Sequence, residues 1–181
     1  QWCDSADARH VFATLPGGVE LHNFYIPAGG DVADPTTNPK FEEKLRFYRE
    51  LESWGQKLSP TPRILVGDLN VAPLEADVWS HKQLLRVVSH TPIEVAHYDR
   101  AFAAHGWIDA MREFVPPNDT LYTWWSYRAP DWRRANKGRR LDHVWINEAL
   151  RPKLTSMEVA DRVRGWKNPS DHVPVLVDVA V

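Results

Sequence analysis

The sequence predicts a mixed α/β fold, and two strand patterns and one helix pattern carry that prediction. The apolar run at residues 63–66 ends in a glycine, as a buried strand does when it reaches a turn. Valine occupies every second position from 173 to 181, which gives a strand with one apolar face. Apolar side chains at residues 41, 45, 48, 51 and 54 fall on one face of a helix. Strands and helices therefore follow one another along the chain.

The other elements are placed by turn and capping signals. Strands at 10–15 and 19–26 form a hairpin around residues 16–18, which read Pro-Gly-Gly. Asn38 followed by Pro39 caps the helix that carries the apolar face. A further helix is predicted near 76–88, and a capping box at residues 91–94 begins one that runs to residue 105. Strands are predicted at 121–127 and 141–147.

Composition indicates a single domain over residues 1–181 and also indicates the cellular compartment. Apolar residues make up 43% and charged residues 25%, and no apolar run reaches the roughly 20 residues of a membrane span. Cys3 is the only cysteine, so an internal disulfide is impossible and we expect a reducing cytoplasm. The net charge of −2 argues against coating nucleic acid by bulk charge but leaves room for a local basic patch.

An acid and an amide stand two residues apart where the strand at 63–66 ends. The period of a strand places Asp68 and Asn70 on the same side, where they can hold a metal, a water or a phosphate oxygen. A simple turn is the alternative, because Gly, Asp and Asn are common turn residues. Tyr25 ends another strand before a Pro/Gly loop, and both a core and a site role stay open for it.

The segment from Arg128 to Arg140 is the one strongly basic stretch in this slightly acidic chain. It contains six basic residues against one acid, with aromatic residues before and within it. A solvated charged loop is one interpretation. The other is a loop that contacts a phosphate backbone while its aromatic rings meet a base or a sugar. Asp171 and His172, at the mouth of the last strand, can both reach one cleft.

Four motifs stand in one order and carry a resemblance to a known family. They are Asn-x-Tyr-x-Pro-x-Gly at 23–29, Gly-Asp-Leu-Asn at 67–70, Arg-Leu-Asp at 140–142 and Ser-Asp-His-x-Pro at 170–174. The set resembles the endonuclease/exonuclease/phosphatase superfamily, and more closely its exonuclease III group of abasic-site endonucleases. The resemblance implies a two-layer β-sandwich of mixed sheets flanked by helices. It also implies that the chain is the C-terminal two thirds of such a domain, incomplete at the N-terminus.

The resemblance implies metal-dependent hydrolysis of a phosphodiester in duplex DNA, by abasic-site cleavage and 3′-to-5′ exonuclease action in base excision repair. His172 would contact the scissile phosphate while Asp142 holds its imidazole, Asp68 would activate the water, and Asn70 would orient it. Tyr25 would lie against the phosphate. The expected ligands of Mg²⁺ or Mn²⁺ are Asp68, Asn70 and Asp171, and the expected DNA contacts are Trp124, Arg128, Arg139, Arg140 and Leu141.

Two alternatives to this function stay open. One is another phosphoesterase of the superfamily that acts on a small phosphorylated substrate. The other is a catalytically impaired DNA-binding fragment, because the Gln-Glu pair whose glutamate is the family's main metal ligand has no match here. The expected partner is duplex DNA with abasic sites or 3′ ends. We expect a monomer if the chain is complete, and association through exposed core surface if it is truncated.

Overall fold

The computed structural model describes residues 2–129 and 131–180. The strands are β1 (His10–Thr14), β2 (Glu20–Tyr25), β3 (Arg63–Asp68), β4 (Ile108–Asp109), β5 (Trp124–Trp125), β6 (Gly138–Arg139), β7 (Asp142–Ile146), β8 (Leu154–Val159) and β9 (Val175–Val179). Five of them form a central sheet in the order β1-β2-β3-β7-β4, and β5-β6 and β8-β9 form two-stranded sheets. The helices are α1 (Pro39–Gly55), α2 (His81–Leu84), α3 (Pro92–Ala103) and α4 (Trp132–Ala135). Among the described residues, none of the helices has both the length and the apolar character that a membrane crossing requires.

The predicted hairpin, the predicted cap of α1 and the predicted capping box of α3 are all present in the structure. β1 and β2 pair antiparallel around a short 3-10 turn at Pro16–Gly18. β2 then pairs parallel with β3, which requires a long crossover, and α1 supplies it. The Asn38 side chain caps α1 by accepting a hydrogen bond from the backbone N–H of Lys40. The predicted capping box at Thr91 and Glu94 begins α3.

Both faces of the central sheet are buried. Successive side chains on its strands point to opposite faces, and each face packs against a core. Leu65 on β3 faces a core shared with α1 and α3. Its neighbours Ile64 and Val66 face a second core against the β8-β9 hairpin. Val175, Val177 and Val179 alternate inward from β9, as the valine pattern predicted; Val181, in the same prediction, lies outside the described residues. The mixed central sheet therefore lies between α1 and α3 on one face and the antiparallel β8-β9 hairpin on the other, which agrees with the predicted α/β class.

Two predicted elements were wrong in extent. The helix expected near 76–88 is a 3-10 turn at Glu75–Asp77 followed by the single-turn helix α2. Asp77 is fully buried and accepts hydrogen bonds from distant arginines, so that side chain fixes a loop conformation in place of a helix. The strand expected at 121–127 is reduced to β5, because β6 offers only two residues to pair with it.

Candidate active site

The strand register brings three predicted site residues into one row at the edge of the central sheet. Tyr25 pairs with Asp68 across the parallel β2-β3 ladder, and Asp68 pairs with Asp142 across the antiparallel β3-β7 ladder. Directly paired residues project from the same face of a sheet. The row therefore places a phenol and two carboxylates side by side, each contributed by the last or first residue of its strand.

His172 completes this row from the segment that precedes β9. Its Nδ1 lies 2.8 Å from Asp142 Oδ2, and its Nε2 lies 3.8 Å from Asp68 Oδ2. The imidazole therefore lies between the two carboxylates, with Nδ1 engaged and Nε2 facing Asp68. The Thr123 hydroxyl, which is fully buried, accepts hydrogen bonds from the backbone N–H groups of Leu141 and Asp142 and so fixes the start of β7.

The proximity of the charged groups shifts two pKa values in this row. Burial, and then the negative charge of Asp142, raises the pKa of Asp68 to about 6. Burial alone would lower the pKa of His172, but the hydrogen bond and charge of Asp142, together with Asp68 and Asp171, outweigh it and raise that pKa. Hence the protonated imidazole is favoured between the two acids.

A strained turn after β3 positions Asn70. Asn70 has a φ of 55°, and Gly67, with a φ of 134°, packs so closely that a Cβ there would lie 1.9 Å from the carbonyl oxygen of Phe24. The Asn70 amide nitrogen donates to Ile26 O at 2.9 Å and to Asp68 Oδ2 at 3.0 Å. Since both amide hydrogens are engaged, the structure gives Asn70 a role in fixing the Asp68 carboxylate, and its predicted role in orienting a water stays a prediction.

Among the described residues, Asp68, Asp142 and His172 form a group of acidic and histidine side chains that could hold a metal ion. Each offers one ligand atom, and these atoms all lie within 4.8 Å of one another. Carboxylate oxygen and imidazole nitrogen are donors that divalent cations such as Mg²⁺ and Mn²⁺ accept. The group differs from the predicted ligands, because Asp171 accepts a 3.0 Å hydrogen bond from the Trp124 indole and lies outside it.

A cavity of about 820 Å³ opens in front of this row. Its lining combines the site residues with aromatic and basic side chains. Predicted residues that line it are Tyr25, Asp68, Asn70, Trp124, Arg128, Arg139, Leu141 and His172. Trp79, Trp132 and Lys137 extend the lining, and the Lys137 ammonium lies 4.5 Å from the ring centre of Trp79. Most of the predicted DNA-contact residues thus share one cavity with the row of catalytic candidates.

Arg140 is not among the residues that line the cavity, so the prediction that it contacts DNA was wrong. Its side chain is only 1% exposed. Its Nε lies 2.7 Å from Asp77 Oδ1, and another of its nitrogens lies 2.6 Å from Asp109 Oδ2. Arg140 therefore neutralises a buried acid and ties the loop at 75–77 to the base of β7, out of reach of a ligand in the cavity.

A buried ion pair behind the site was missed from the sequence. Lys44 on α1 and Glu94 on α3 are both fully buried and pair directly. Lys44 Nζ also donates to Asn70 O at 2.7 Å and to Ala28 O at 3.3 Å, so it holds two loops of the cavity from below. The sequence contains a signal for this ion pair, because Lys44 lies on the apolar face of α1, three residues after Phe41. A lysine on such a face needs a buried partner.

The comparisons with known proteins agree with this geometry. The sequence pattern of a family described as "Endonuclease/Exonuclease/phosphatase family" matches residues 5–172. Exodeoxyribonuclease III of Haemophilus influenzae is 29% identical over 95% of this chain and 67% of its own length. The DNA repair nuclease APEX1 of Danio rerio is 34% identical over 66% of this chain and 37% of its own length.

Solved structures give the same result for the fold. An AP endonuclease from Archaeoglobus fulgidus superposes with a TM-score of 0.88 at 25% identity, over 99% of this chain and 69% of that chain. The 3′ phosphatase NExo from Neisseria, bound to a product DNA hairpin, superposes with a TM-score of 0.87 at 26% identity, over 98% of this chain and 67% of that one. The chain thus spans about two thirds of the length of these structures.

Proposed function

Because the chain belongs to the Endonuclease/Exonuclease/phosphatase family and is of the exonuclease III type, we propose that it hydrolyses phosphodiester bonds in duplex DNA at abasic sites and at 3′ ends. The observation that carries this proposal is the row formed by Asp68, His172 and Asp142 at the mouth of a cavity with basic and aromatic walls. Such a reaction belongs to base excision repair, and we keep the reducing cytoplasm as its expected location.

His172 and Asp142 act as a pair in this proposal. Asp142 accepts the Nδ1–H of His172, which fixes the ring orientation and favours the imidazolium form. Nε2 then donates to a nonbridging oxygen of the scissile phosphate. Negative charge grows on that oxygen during attack, so a fixed cationic donor stabilises the transition state more than the ground state.

Asp68 serves as the proton acceptor for the attacking water. Its carboxylate is held from two directions by Asn70, whose backbone N–H and side-chain amide both donate to it. A general base must lie within hydrogen-bond reach of the proton that it removes, and a rigidly oriented carboxylate satisfies that need at small entropic cost. Tyr25, which is 56% exposed and belongs to the same row, is available to the phosphate from the opposite side.

A divalent cation, Mg²⁺ or Mn²⁺, fits the donor set of this site. The carboxylates of Asp68 and Asp142 would hold it, because both nitrogens of the His172 imidazolium carry protons, and when bound it would supply neutralisation of the charge that grows on the phosphate. The chain's own residues keep the roles given above. The proposed ligands are testable by binding alone, because replacement of Asp68 with asparagine should weaken Mn²⁺ binding measured by calorimetry without DNA.

The cavity wall fits a DNA backbone and an extruded sugar. Arg128 and Lys137 are exposed at the rim, and Trp124 and Leu141 form the deeper wall. Cations at the rim suit phosphates, while flat rings and an aliphatic side chain suit a sugar without its base. We propose that this wall receives one DNA duplex.

The test is Mg²⁺-dependent nicking of a duplex that contains one abasic site, compared with phosphate release from inositol phosphates. We expect nicking, and we expect His172→Ala to abolish it, which excludes a contaminating nuclease. Phosphate release from the small substrates without nicking would instead establish a different phosphoesterase. Salt-sensitive binding of the duplex without nicking would identify a DNA-binding chain that lacks the catalyst.

A further inference from the structure

Two histidines beside the cavity wall form a pair whose outer ring nitrogens both face oxygen acceptors. His90 is only 3% exposed, and its Nδ1 lies 2.6 Å from the backbone oxygen of Ala72. His81, at the start of α2, has its Nε2 3.5 Å from a carboxylate oxygen of Glu75. The two remaining nitrogens, His81 Nδ1 and His90 Nε2, face each other at 2.8 Å.

The outer contacts decide where the protons of this pair lie. Carbonyl and carboxylate oxygens only accept hydrogen bonds, so each outer nitrogen carries the N–H of its neutral ring. Both inner nitrogens then present lone pairs, and two lone pairs 2.8 Å apart repel unless a cation lies between them. A proton fills that place only when one ring is an imidazolium. Burial lowers the pKa of His90, so near neutral pH its Nε2 lone pair is open to a metal cation instead.

A second histidine pair shows the contrasting case of an ordinary hydrogen bond between imidazoles. His10 Nε2 lies 3.0 Å from His22 Nδ1. The outer nitrogen of His10, Nδ1, accepts the indole N–H of Trp2 at 3.3 Å, so the inner nitrogen carries the proton and donates it to His22. That pair is complete without a cation, whereas the pair of His81 and His90 is not.

The outer contacts of His81 and His90 are also the ones that metal-binding histidines make. A histidine ligand donates its outer N–H to a carboxylate or a backbone carbonyl, which fixes the ring and makes the inner nitrogen a stronger donor to the metal. We propose that His81 Nδ1 and His90 Nε2 bind a transition-metal cation such as Zn²⁺, at a site separate from the catalytic row. Imidazole nitrogen suits Zn²⁺, whereas Mg²⁺ prefers oxygen ligands.

The surroundings of the pair accommodate such an ion. Zn–N bonds of about 2.0–2.1 Å place two nitrogens of a tetrahedral site roughly 3.3 Å apart, so the pair must open by about half an ångström. His81 supplies this movement, because its side chain is 38% exposed at the start of a single-turn helix. The Glu75 carboxylate, itself 78% exposed, stays behind His81 as its outer partner, and water fills the remaining positions on the ion.

A metal at this position would brace one wall of the cavity. His90 follows Ser89, which lines the cavity and whose hydroxyl accepts a hydrogen bond from Arg139 at 2.7 Å. The backbone oxygen of Ser89 also accepts the N–H of Ala72, the residue whose own oxygen orients His90. A cation between His81 and His90 therefore ties α2 to the wall segment. Binding there requires neither DNA nor catalysis.

The test is isothermal titration calorimetry with Zn²⁺ in the absence of DNA. The titrated protein is the variant Asp68→Asn, Asp142→Asn, which lacks the carboxylates proposed to hold the catalytic cation. We expect it to bind one Zn²⁺ per chain, with excess Mg²⁺ in the buffer. Adding His81→Ala should weaken that binding by about a hundredfold or more, because loss of a ligand's outer partner alone costs about 10–100-fold.

Two other histidines provide matched controls in the same background. His10 belongs to the complete histidine pair, and His97 on α3 has its Nδ1 2.8 Å from the backbone oxygen of Ile93. His10→Gln and His97→Gln should leave Zn²⁺ binding unchanged. If His81→Ala fails to fold by circular dichroism, Glu75→Gln, at an exposed side chain, should weaken binding about tenfold by removing the outer partner. Zn²⁺ binding that is absent, that survives His81→Ala, or that falls equally in the controls would overturn the inference.

Discussion

Replacing Lys44 with methionine removes one half of the buried ion pair that lies under the site. Lys44 and Glu94 have side chains with no exposed surface, so neither charge is solvated by water in the folded protein. Glu94 would keep its hydrogen bonds from Ser89 N and Thr91 Oγ1 but would lose its counter-charge. Removing one partner of a buried pair typically costs about 3–5 kcal/mol, a large part of a total stability of about 5–15 kcal/mol. We expect Lys44→Met to lose stability in that range.

The double variant Lys44→Met, Glu94→Gln separates the charge from the rest of the contact. Glutamine keeps an acceptor for Ser89 N and carries no charge, so the desolvated anion is gone. What stays lost are the hydrogen bonds from Lys44 to the carbonyls of Asn70 and Ala28, worth about 2 kcal/mol together. The double variant should therefore regain at least half of the stability that the single variant loses.

Urea unfolding followed by tryptophan fluorescence measures both variants against the natural chain. A loss below about 1 kcal/mol in Lys44→Met would refute the view that the pair is buried and coupled. Further destabilisation by Glu94→Gln in that background would do the same. If the double variant is stable yet cleaves DNA slowly at saturating substrate, Lys44 also positions Asn70, because lost positioning lowers kcat more than it raises KM.

Four further substitutions address separate parts of the molecule. Asp142→Asn should lower single-turnover cleavage about a thousandfold while DNA affinity measured in EDTA stays unchanged, since it removes the charge behind the imidazole and one proposed metal ligand; a matching loss of affinity would argue against that role. Arg140→Met should lower the free energy of unfolding in urea by about 3 kcal/mol and leave the salt dependence of DNA binding unchanged. Arg128→Gln should instead reduce the slope of log K for DNA binding against log salt concentration by roughly one. The reverse pattern would show that Arg140 contacts DNA. Burial and the neighbouring His22 lower the pKa of His10 to about 4, so as the pH falls the unfolded chain takes up this proton first. Stability is therefore lost between pH 6.5 and about 4, by about 1–2 kcal/mol after solvent screening at this half-buried position. His10→Gln should flatten that part of the urea-midpoint profile, and equal slopes in the two proteins would contradict the assignment.

The strands that carry the site could be predicted because their signals are local. The run at 63–66 and the acid that follows it define the end of β3 without reference to any other part of the chain. The row of Tyr25, Asp68 and Asp142 could not be derived that way, because it depends on which strands pair and in which register. In the sequence, resemblance to a family supplied that information, and the register in the structure supplies it physically.

The polar partners of the site residues were less predictable than their positions. The expected role of Asn70 in orienting a water stays a prediction, whereas the hydrogen bonds from its amide nitrogen to Asp68 and Ile26 were not predicted. The left-handed backbone of Asn70 turns the side chain back toward the strand end that precedes it. Sequence spacing gives the side of a strand on which a residue starts, but not the direction taken after a turn.

The adjacent arginines 139 and 140 show why sequence alone cannot tell which residues of a basic segment face a cavity and which are buried. Neighbouring residues of an extended chain point to opposite faces, so one of the two must face the cavity and the other the interior. The pairing of Trp124 with Arg139 decides which, because it turns Arg139 toward the row that holds His172. A shift of one residue in that pairing would exchange the two arginines. Arg140 therefore pairs with buried acids, and these are Asp77, 63 positions earlier in the chain, and Asp109, 31 positions earlier. No local pattern near residue 140 contains that information, and it follows from the register once the register is known.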